Sequence, residues 1–166
     1  MRKIVFLIFI IIVIVSISIK DENILIPNNA IRIRIIANSN ELKDQEIKTR
    51  VKNEVNDFLY KKLENIDKYN DAKNVLNNNM KSINKIVSNY VTNFEINYGK
   101  NYFPEKEYKG TKYKEGEYES IVIKLGEGKG KNFWCVLFPP LCMIDENKIE
   151  NNTYSLYVKE LLKKIK

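Results

Sequence analysis

An apolar segment at the start of the chain is its strongest hydrophobic feature. Two basic residues at positions 2 and 3 precede residues 4–15, which contain no polar side chain, and the next charge is Lys20. A basic stretch followed by an apolar stretch is the pattern of an export leader, so we assign residues 1–19 to a secretory signal peptide or membrane anchor. Ser16 and Ser18 fit the two small-residue positions of a cleavage site, which favours cleavage; retention as an anchor is the alternative.

Strict alternation of apolar and charged residues marks residues 31–36 as a strand. The pattern Ile-Arg-Ile-Arg-Ile-Ile predicts a half-buried strand whose alternate isoleucines face the core. Arg32 and Arg34 then project from the other face, about 7 Å apart. Two neighbouring guanidinium groups suit a carboxylate or phosphate partner. A solvated strand face, or pairing with a neighbouring helix, is the alternative.

Two amphipathic helices are predicted after a polar turn. The turn consists of Asn38, Ser39 and Asn40, three residue types that favour turns and helix caps. Apolar residues spaced by three and four over residues 47–66 predict a helix of about 25 residues. The same spacing over residues 72–94 predicts a second helix.

Strands dominate the rest of the chain. Aromatic and β-branched runs between Gly and Pro predict three strands: residues 95–103, 118–125 and 132–138. The glycine-rich connector 126–131 predicts a hairpin between the last two, and residues 153–166 have the spacing of a closing helix. The order predicts an α+β fold, with a mainly antiparallel sheet of about four strands packed by two long helices and a C-terminal helix. We assign residues 28–166 to this single domain.

The composition excludes many kinds of catalysis. The chain has no histidine and two cysteines, which removes Ser-His-Asp and Cys-His triads and leaves too few ligands for a structural zinc site. We predict no metal and no cofactor. The net charge of +7 is spread along the chain without long basic blocks, so nucleic acid is not an expected partner. A solvated basic surface, anionic lipid or a cell-wall polymer accounts better for the charge.

Glycines alternate with charged residues in the 126–131 connector. Gly126, Gly128 and Gly130 lack the Gly-Lys-Ser/Thr ending of a P-loop and no helix is predicted to follow them, so we expect neither a nucleotide nor another small-molecule substrate. An exposed loop carrying Glu127 and Lys129 is instead a candidate recognition surface.

Three alternating carboxylates suggest the alternative of an enzyme. Glu115, Glu117 and Glu119 lie near a predicted turn, with Glu117 and Glu119 on one strand face. Paired carboxylates are the catalysts of glycoside hydrolysis, so an envelope or peptidoglycan hydrolase is the alternative function. A solvated surface explains the same pattern.

The segment 133–142, Phe-Trp-Cys-Val-Leu-Phe-Pro-Pro-Leu-Cys, has the most unusual composition in the chain. In an exported protein Cys135 and Cys142 are candidates for a disulfide, and two reduced buried cysteines are the alternative. Pro139 and Pro140 would end the strand and reverse the chain between the two thiols.

Five segments together resemble the stage II sporulation protein R family. They are residues 31–40 (Ile-Arg-Ile-Arg-Ile-Ile-Ala-Asn-Ser-Asn), 44–45 (Asp-Gln), 116–119 (Gly-Glu-Tyr-Glu), 126–130 (Gly-Glu-Gly-Lys-Gly) and 132–142. The resemblance implies a protein secreted from the forespore into the space between two membranes, or tethered facing that space. There it would activate a membrane-embedded aspartic protease, stage II sporulation protein GA, and so trigger cleavage of the sigma factor E precursor in the mother cell.

On this resemblance the chain is a ligand and not an enzyme. We expect the following residues to form the partner surface or its support: Arg32, Arg34, Asn38, Ser39, Asn40, Glu117, Glu127, Lys129, Trp134, Phe138, Pro139 and Pro140.

Overall fold

A computed structural model describes residues 24–25, 30–108 and 111–139 of the chain. These residues form seven strands and three helices. In chain order they are β1 (Ile24–Leu25), β2 (Ile31–Ile36), α1 (Leu42–Leu63), α2 (Tyr69–Asn78), α3 (Met80–Ser88), β3 (Phe94–Phe103), β4 (Lys106–Tyr108), β5 (Thr111–Tyr113), β6 (Gly116–Leu125) and β7 (Asn132–Phe138). The predicted leader, residues 1–19, and the predicted closing helix, residues 153–166, lie outside the described residues. None of the three helices described has the length and apolarity needed to cross a membrane.

The main sheet has four strands in the order β3-β6-β2-β7. β3 is antiparallel to β6, β2 is parallel to β6, and β7 is antiparallel to β2. The predicted α+β class and the count of four main strands are therefore confirmed, but the sheet is mixed. The hairpin predicted between β6 and β7 is wrong, because β2 lies between them. Residues 126–131 instead carry the chain past the end of β2.

The helices pack on one face of this sheet. As predicted, the alternating residues Ile31, Ile33 and Ile35 of β2 are completely buried. They lie in the same core as the apolar residues of the helices. α1 contributes four fully buried residues spaced by four: Val51, Val55, Leu59 and Leu63. Side chains at the intervening positions of β2, Arg32 and Arg34, lie on the opposite face.

The second predicted helix is in fact two helices, which separate at Asn79. This residue has φ −103° and ψ 5°, outside the helical region. Its side-chain Nδ2 donates to the Val75 carbonyl at 2.7 Å, a local bond that competes with continuation of the helix. The apolar spacing continues across the break, and for that reason the pattern alone predicted one helix.

A small second sheet, in the order β1-β5-β4, was not predicted. β4 and β5 form an antiparallel pair inserted between β3 and β6. β3 and β6 remain paired up to this insertion, with Phe103 opposite Gly116. The hairpin of the main sheet is thus β3–β6, and the β4–β5 pair is inserted at its tip.

Candidate functional site

Two predicted motifs meet at one edge of the main sheet. Residues 37–45 follow β2, and residues 126–131 follow β6; we call them together the loop pair. Because β2 and β6 are parallel neighbours, with Ile36 opposite Lys124, both loops leave the sheet at the same edge. The segments are about 90 residues apart in sequence but adjacent in space, as loops at the carboxyl ends of adjacent parallel strands must be.

Asn38 joins the two loops through its backbone and its side chain. Its Oδ1 accepts a hydrogen bond from the Glu127 backbone N–H at 2.9 Å, and its carbonyl accepts one from the Lys129 N–H, also at 2.9 Å. The Asn38 side chain is half-buried, but its hydrogen bond with the Glu127 N–H is exposed to solvent. Asn38 therefore fixes the position of the Glu127–Lys129 tip.

Asn40 makes a second connection. Its Oδ1 accepts from the Lys131 backbone N–H at 2.8 Å. Beside it, the Gly130 N–H donates to the Ala37 carbonyl at 2.9 Å. Four hydrogen bonds thus link the two loops, and each uses a backbone N–H of the glycine-rich loop as donor. Two of the acceptors are backbone carbonyls, and the other two are the side-chain amides of Asn38 and Asn40.

Glycine is required where the two loops touch. A Cβ added to Gly130 would overlap the Ser39 carbonyl group and lie 2.9 Å from the Ala37 Cβ. Gly126 has φ +55°, a conformation that favours glycine, and a Cβ there would overlap the Asn38 side chain. The alternating glycines permit this close approach of two backbones and do not form a phosphate cradle.

Asp44, in the first turn of α1, supports the first loop. One of its carboxylate oxygens, Oδ2, accepts from Asn38 Nδ2 at 2.8 Å and from Ser39 Oγ at 2.7 Å. The Ser39 and Asn38 side-chain hydrogen bonds lower the pKa of the Asp44 carboxyl group. The neighbouring Gln45 donates from Nε2 to the Ser39 carbonyl at 2.8 Å.

Asp44 and Gln45 belong to a motif quoted above, but they were not among the expected site residues. The position of Asp44 in the sequence could have identified it as part of the site. A carboxylate in the first turn of a helix, four to six residues after Asn-Ser-Asn, is well placed to accept from those side chains and from the helix terminus.

The tip of the glycine-rich loop presents an ion pair to solvent. Lys129 Nζ lies 2.6 Å from Glu127 Oε2, and both side chains are largely exposed, at 76% and 66%. The hydrogen bond and opposite charge lower the pKa of Glu127 and raise that of Lys129. Exposed pairs contribute little to stability. The pair is an exposed polar feature at the tip of the loop.

An open groove lies beside the loop pair. It has a volume of about 460 Å³ and is lined by Asn38, Asp44, Gly126 and residues 88–93 after α3. The groove is open to solvent, and its lining is mixed polar and apolar. These properties suit contact with a protein loop better than enclosure of a small ligand.

Arg32 and Arg34 lie among aromatic rings on the other face of the sheet. The Arg32 guanidinium carbon lies 4.2 Å from the ring centroid of Phe103 and 4.7 Å from that of Tyr118. Arg34 stacks over Trp134 at 4.4 Å, and burial lowers its pKa.

The Phe103 ring also contacts the Tyr118 and Trp134 rings edge to face. The centroids of Phe103 and Trp134 are 5.1 Å apart, and those of Phe103 and Tyr118 are 6.0 Å apart. Arg32 is only 2% exposed. This arginine therefore packs within the protein and does not present its guanidinium fork to solvent.

The cysteine segment is described only in part. Cys135 is disulfide-bonded. Cys142 and Pro140 lie outside the described residues, so the pairing of Cys135 with Cys142 stays a prediction. Phe138 is buried at 1% exposure, and Pro139 follows it through a cis peptide bond. Both residues contribute to packing at the end of β7.

The three alternating glutamates have separate environments. Glu119 is 8% exposed and lies 3.1 Å from Lys73 Nζ. Burial and the Glu119 charge raise the pKa of Tyr98 next to it. Glu115 accepts from the Tyr102 hydroxyl at 3.0 Å, whereas Glu117 is exposed. Among the described residues no cluster of acids and cysteines has the arrangement of a metal site.

Comparison with known proteins identifies the family to which the chain belongs. The family model for stage II sporulation protein R matches residues 27–148, which include the whole loop pair. The chain is 37% identical over 134 residues to stage II sporulation protein R of Bacillus subtilis strain 168. That match covers 76% of this chain and 60% of the relative, so the chain spans less than two thirds of the relative's length. No solved structure matches. The chain belongs to the stage II sporulation protein R family.

Proposed function

We propose that this chain is an exported sporulation signalling protein. It is secreted from the forespore, or tethered facing the intermembrane space, and activates the membrane-bound aspartic protease stage II sporulation protein GA. The protease then cleaves the sigma factor E precursor in the mother cell. Family membership supports the role in sporulation, and the apolar leader pattern of residues 1–19 supports export.

The loop pair is the observation that carries the proposal. Four hydrogen bonds hold its two segments in one arrangement before any partner binds. A preorganised surface loses less conformational entropy on binding than a flexible one, which favours affinity for a protein partner. Such an arrangement suits a ligand surface, with the Glu127–Lys129 tip as an exposed polar feature.

In mechanistic terms the chain acts by differential binding. A ligand shifts a receptor toward its active state only as far as it binds that state more tightly. A rigid loop pair can make this distinction, because it fits one receptor geometry and not another. The chain supplies shape and hydrogen-bonding groups, and the receptor supplies the catalytic residues.

Gene deletion and complementation test the proposal. In sporulating cells of the source organism, an immunoblot follows conversion of the sigma factor E precursor to its mature form. We expect deletion to abolish conversion, and the wild-type chain to restore it. Normal conversion in the deletion strain would refute the proposed function.

A matched pair of variants tests the role of the loop pair. Asn38→Ala with Asn40→Ala removes the two amide acceptors and should reduce conversion strongly. Asn77→Ala with Asn84→Ala makes the same chemical change at exposed helix positions and should leave conversion unchanged. Secreted protein levels, measured on the same blot, separate lost signalling from lost protein. Equal conversion by both double variants would remove the loop pair from the mechanism.

A further inference from the structure

Three lysines converge beside the loop pair, where α1 meets the start of β7. We call Lys48, Lys52 and Lys131 the lysine cluster. Lys48 Nζ donates to the Lys131 carbonyl at 3.2 Å, and Lys52 Nζ lies 5.5 Å from the ring centroid of Phe133. Lys131 is also the residue whose N–H binds Asn40, so the cluster is continuous with the loop pair.

The positive charge of this cluster is not balanced locally. The ion pairs found within the described part of the chain are Lys73–Glu119 and Lys129–Glu127, and neither includes a member of the cluster. Lys48 and Lys52 are four residues apart on one helix, a spacing at which like charges repel. Burial, with a smaller effect from Lys131 and Lys52, lowers the pKa of Lys48. An anionic group placed among the three would relieve this repulsion.

The extent of the basic surface favours a protein partner over a membrane. Away from the cluster, the solvent-facing side of α1 carries both signs of charge: Glu46 and Asp57 lie there with Lys43 and Arg50, all four exposed. Binding to anionic lipid typically uses about four to eight basic residues next to the membrane. Three ammonium groups beside an aromatic ring and the Gln45 side chain suit a small group of carboxylates.

We propose that the lysine cluster binds an acidic segment on the extracytoplasmic surface of the receptor protease. This inference rests on the proposed function and names the chemistry of the contact. The loop pair supplies shape, and the adjacent lysine cluster supplies electrostatic attraction, which raises the association rate and fixes the orientation of the two proteins.

Charge reversal tests the inference. The exported chain is prepared as wild type, as Lys48→Glu with Lys52→Glu, and as the control Lys81→Glu with Lys85→Glu. The control pair has the same spacing on α3, and both of its lysines are exposed. Binding is measured by flotation with phosphatidylcholine vesicles that contain the receptor, and with receptor-free vesicles containing phosphatidylglycerol. Thermal unfolding checks that each variant is folded, and Lys48→Gln with Lys52→Gln is a milder substitute if the reversed variant is not.

We expect the reversed variant to bind receptor vesicles about 10- to 100-fold more weakly than wild type, and the control to differ by less than about threefold. The wild-type affinity should fall with added salt more steeply than that of the reversed variant. Equal binding by wild type and reversed variant overturns the inference but leaves the proposed function intact. An equal loss on receptor-free phosphatidylglycerol vesicles assigns the cluster to lipid and also overturns it. Failure of the wild type to bind receptor vesicles refutes the proposed function, and the assigned partner with it.

Discussion

Gly130→Ala should destabilise the protein by separating the two segments of the loop pair. An added Cβ would lie 2.6 Å from the Ser39 carbonyl carbon and 2.9 Å from the Ala37 Cβ. The Ser39 contact is with backbone, which cannot rotate away as a side chain would. The glycine-rich loop must therefore move away from residues 37–39.

That movement breaks three hydrogen bonds that flank the contact. They are Gly130 N–H to the Ala37 carbonyl and Lys129 N–H to the Asn38 carbonyl, both 2.9 Å, and Lys131 N–H to Asn40 Oδ1, 2.8 Å. At a net contribution of about 0.5–1.5 kcal/mol each, their loss lowers the free energy of unfolding by about 1.5–4.5 kcal/mol. For a domain of this size the corresponding fall in Tm is about 5–15 °C.

Circular dichroism of the purified domain during thermal unfolding measures the effect, and the immunoblot for the sigma factor E precursor measures its functional consequence. Gly99→Ala is the control: the same substitution on edge strand β3, where an added Cβ meets nothing within 4 Å. Gly99→Ala should lower Tm clearly less than Gly130→Ala does. The small decrease expected for Gly99→Ala comes from the positive φ of Gly99, which disfavours alanine. A Tm for Gly130→Ala within about 2 °C of wild type would show that the loops do not depend on this contact.

Three further predictions concern other parts of the protein. Asp44→Asn should lower Tm near pH 7, and the difference from wild type should shrink in acid. Because the pKa of Asp44 is lowered on folding, its contribution is present above its ordinary pKa of 3.8 and is lost as the pH falls through the lower folded-state pKa. A difference in Tm that does not decrease as the pH is lowered below 3.8 would contradict this reasoning. Trp134→Ala should lower the free energy of unfolding, measured in urea, by about 2–4 kcal/mol, because it removes the ring that stacks on Arg34 and contacts Phe103. An unchanged urea midpoint would show that Trp134 has no packing role. Cys135→Ser should lower the free energy of unfolding by about 2–3 kcal/mol, because it removes a disulfide. Mass spectrometry of the wild type should show a gain of two hydrogens on reduction. No gain would mean that the thiols are free and would contradict the prediction.

The local pattern of apolar and polar residues was sufficient to predict the strands of the main sheet. β7 was predicted with its observed bounds, β3 differs by one residue, and the buried face of β2 was predicted correctly, because alternation reports directly on burial. The single long helix predicted over residues 72–94 was wrong, since the Asn79 side chain interrupts it without disturbing the apolar spacing.

Strand pairing and the structure of the site depended on distant parts of the chain. The length and glycines of residues 126–131 resemble a hairpin connector, but β2, about 90 residues earlier, occupies the position next to β6. The sequence separately indicated the polar turn at residues 38–40 and the glycine-rich loop, but nothing in either segment shows that they touch. Burial of Arg32 was equally hidden, because the rings that cover it come from β3 and β6.

The parallel pairing of β2 with β6 also bears on when the loop pair can form during folding. The first loop follows β2 directly, but three helices and the β3–β6 hairpin lie between it and its partner loop in the chain. Contacts between such distant segments form late, because the intervening chain must first be ordered. A partly folded chain would therefore carry both motifs and still lack the surface that they form together. Under the proposed function, such a chain would not signal until it had reached its native state.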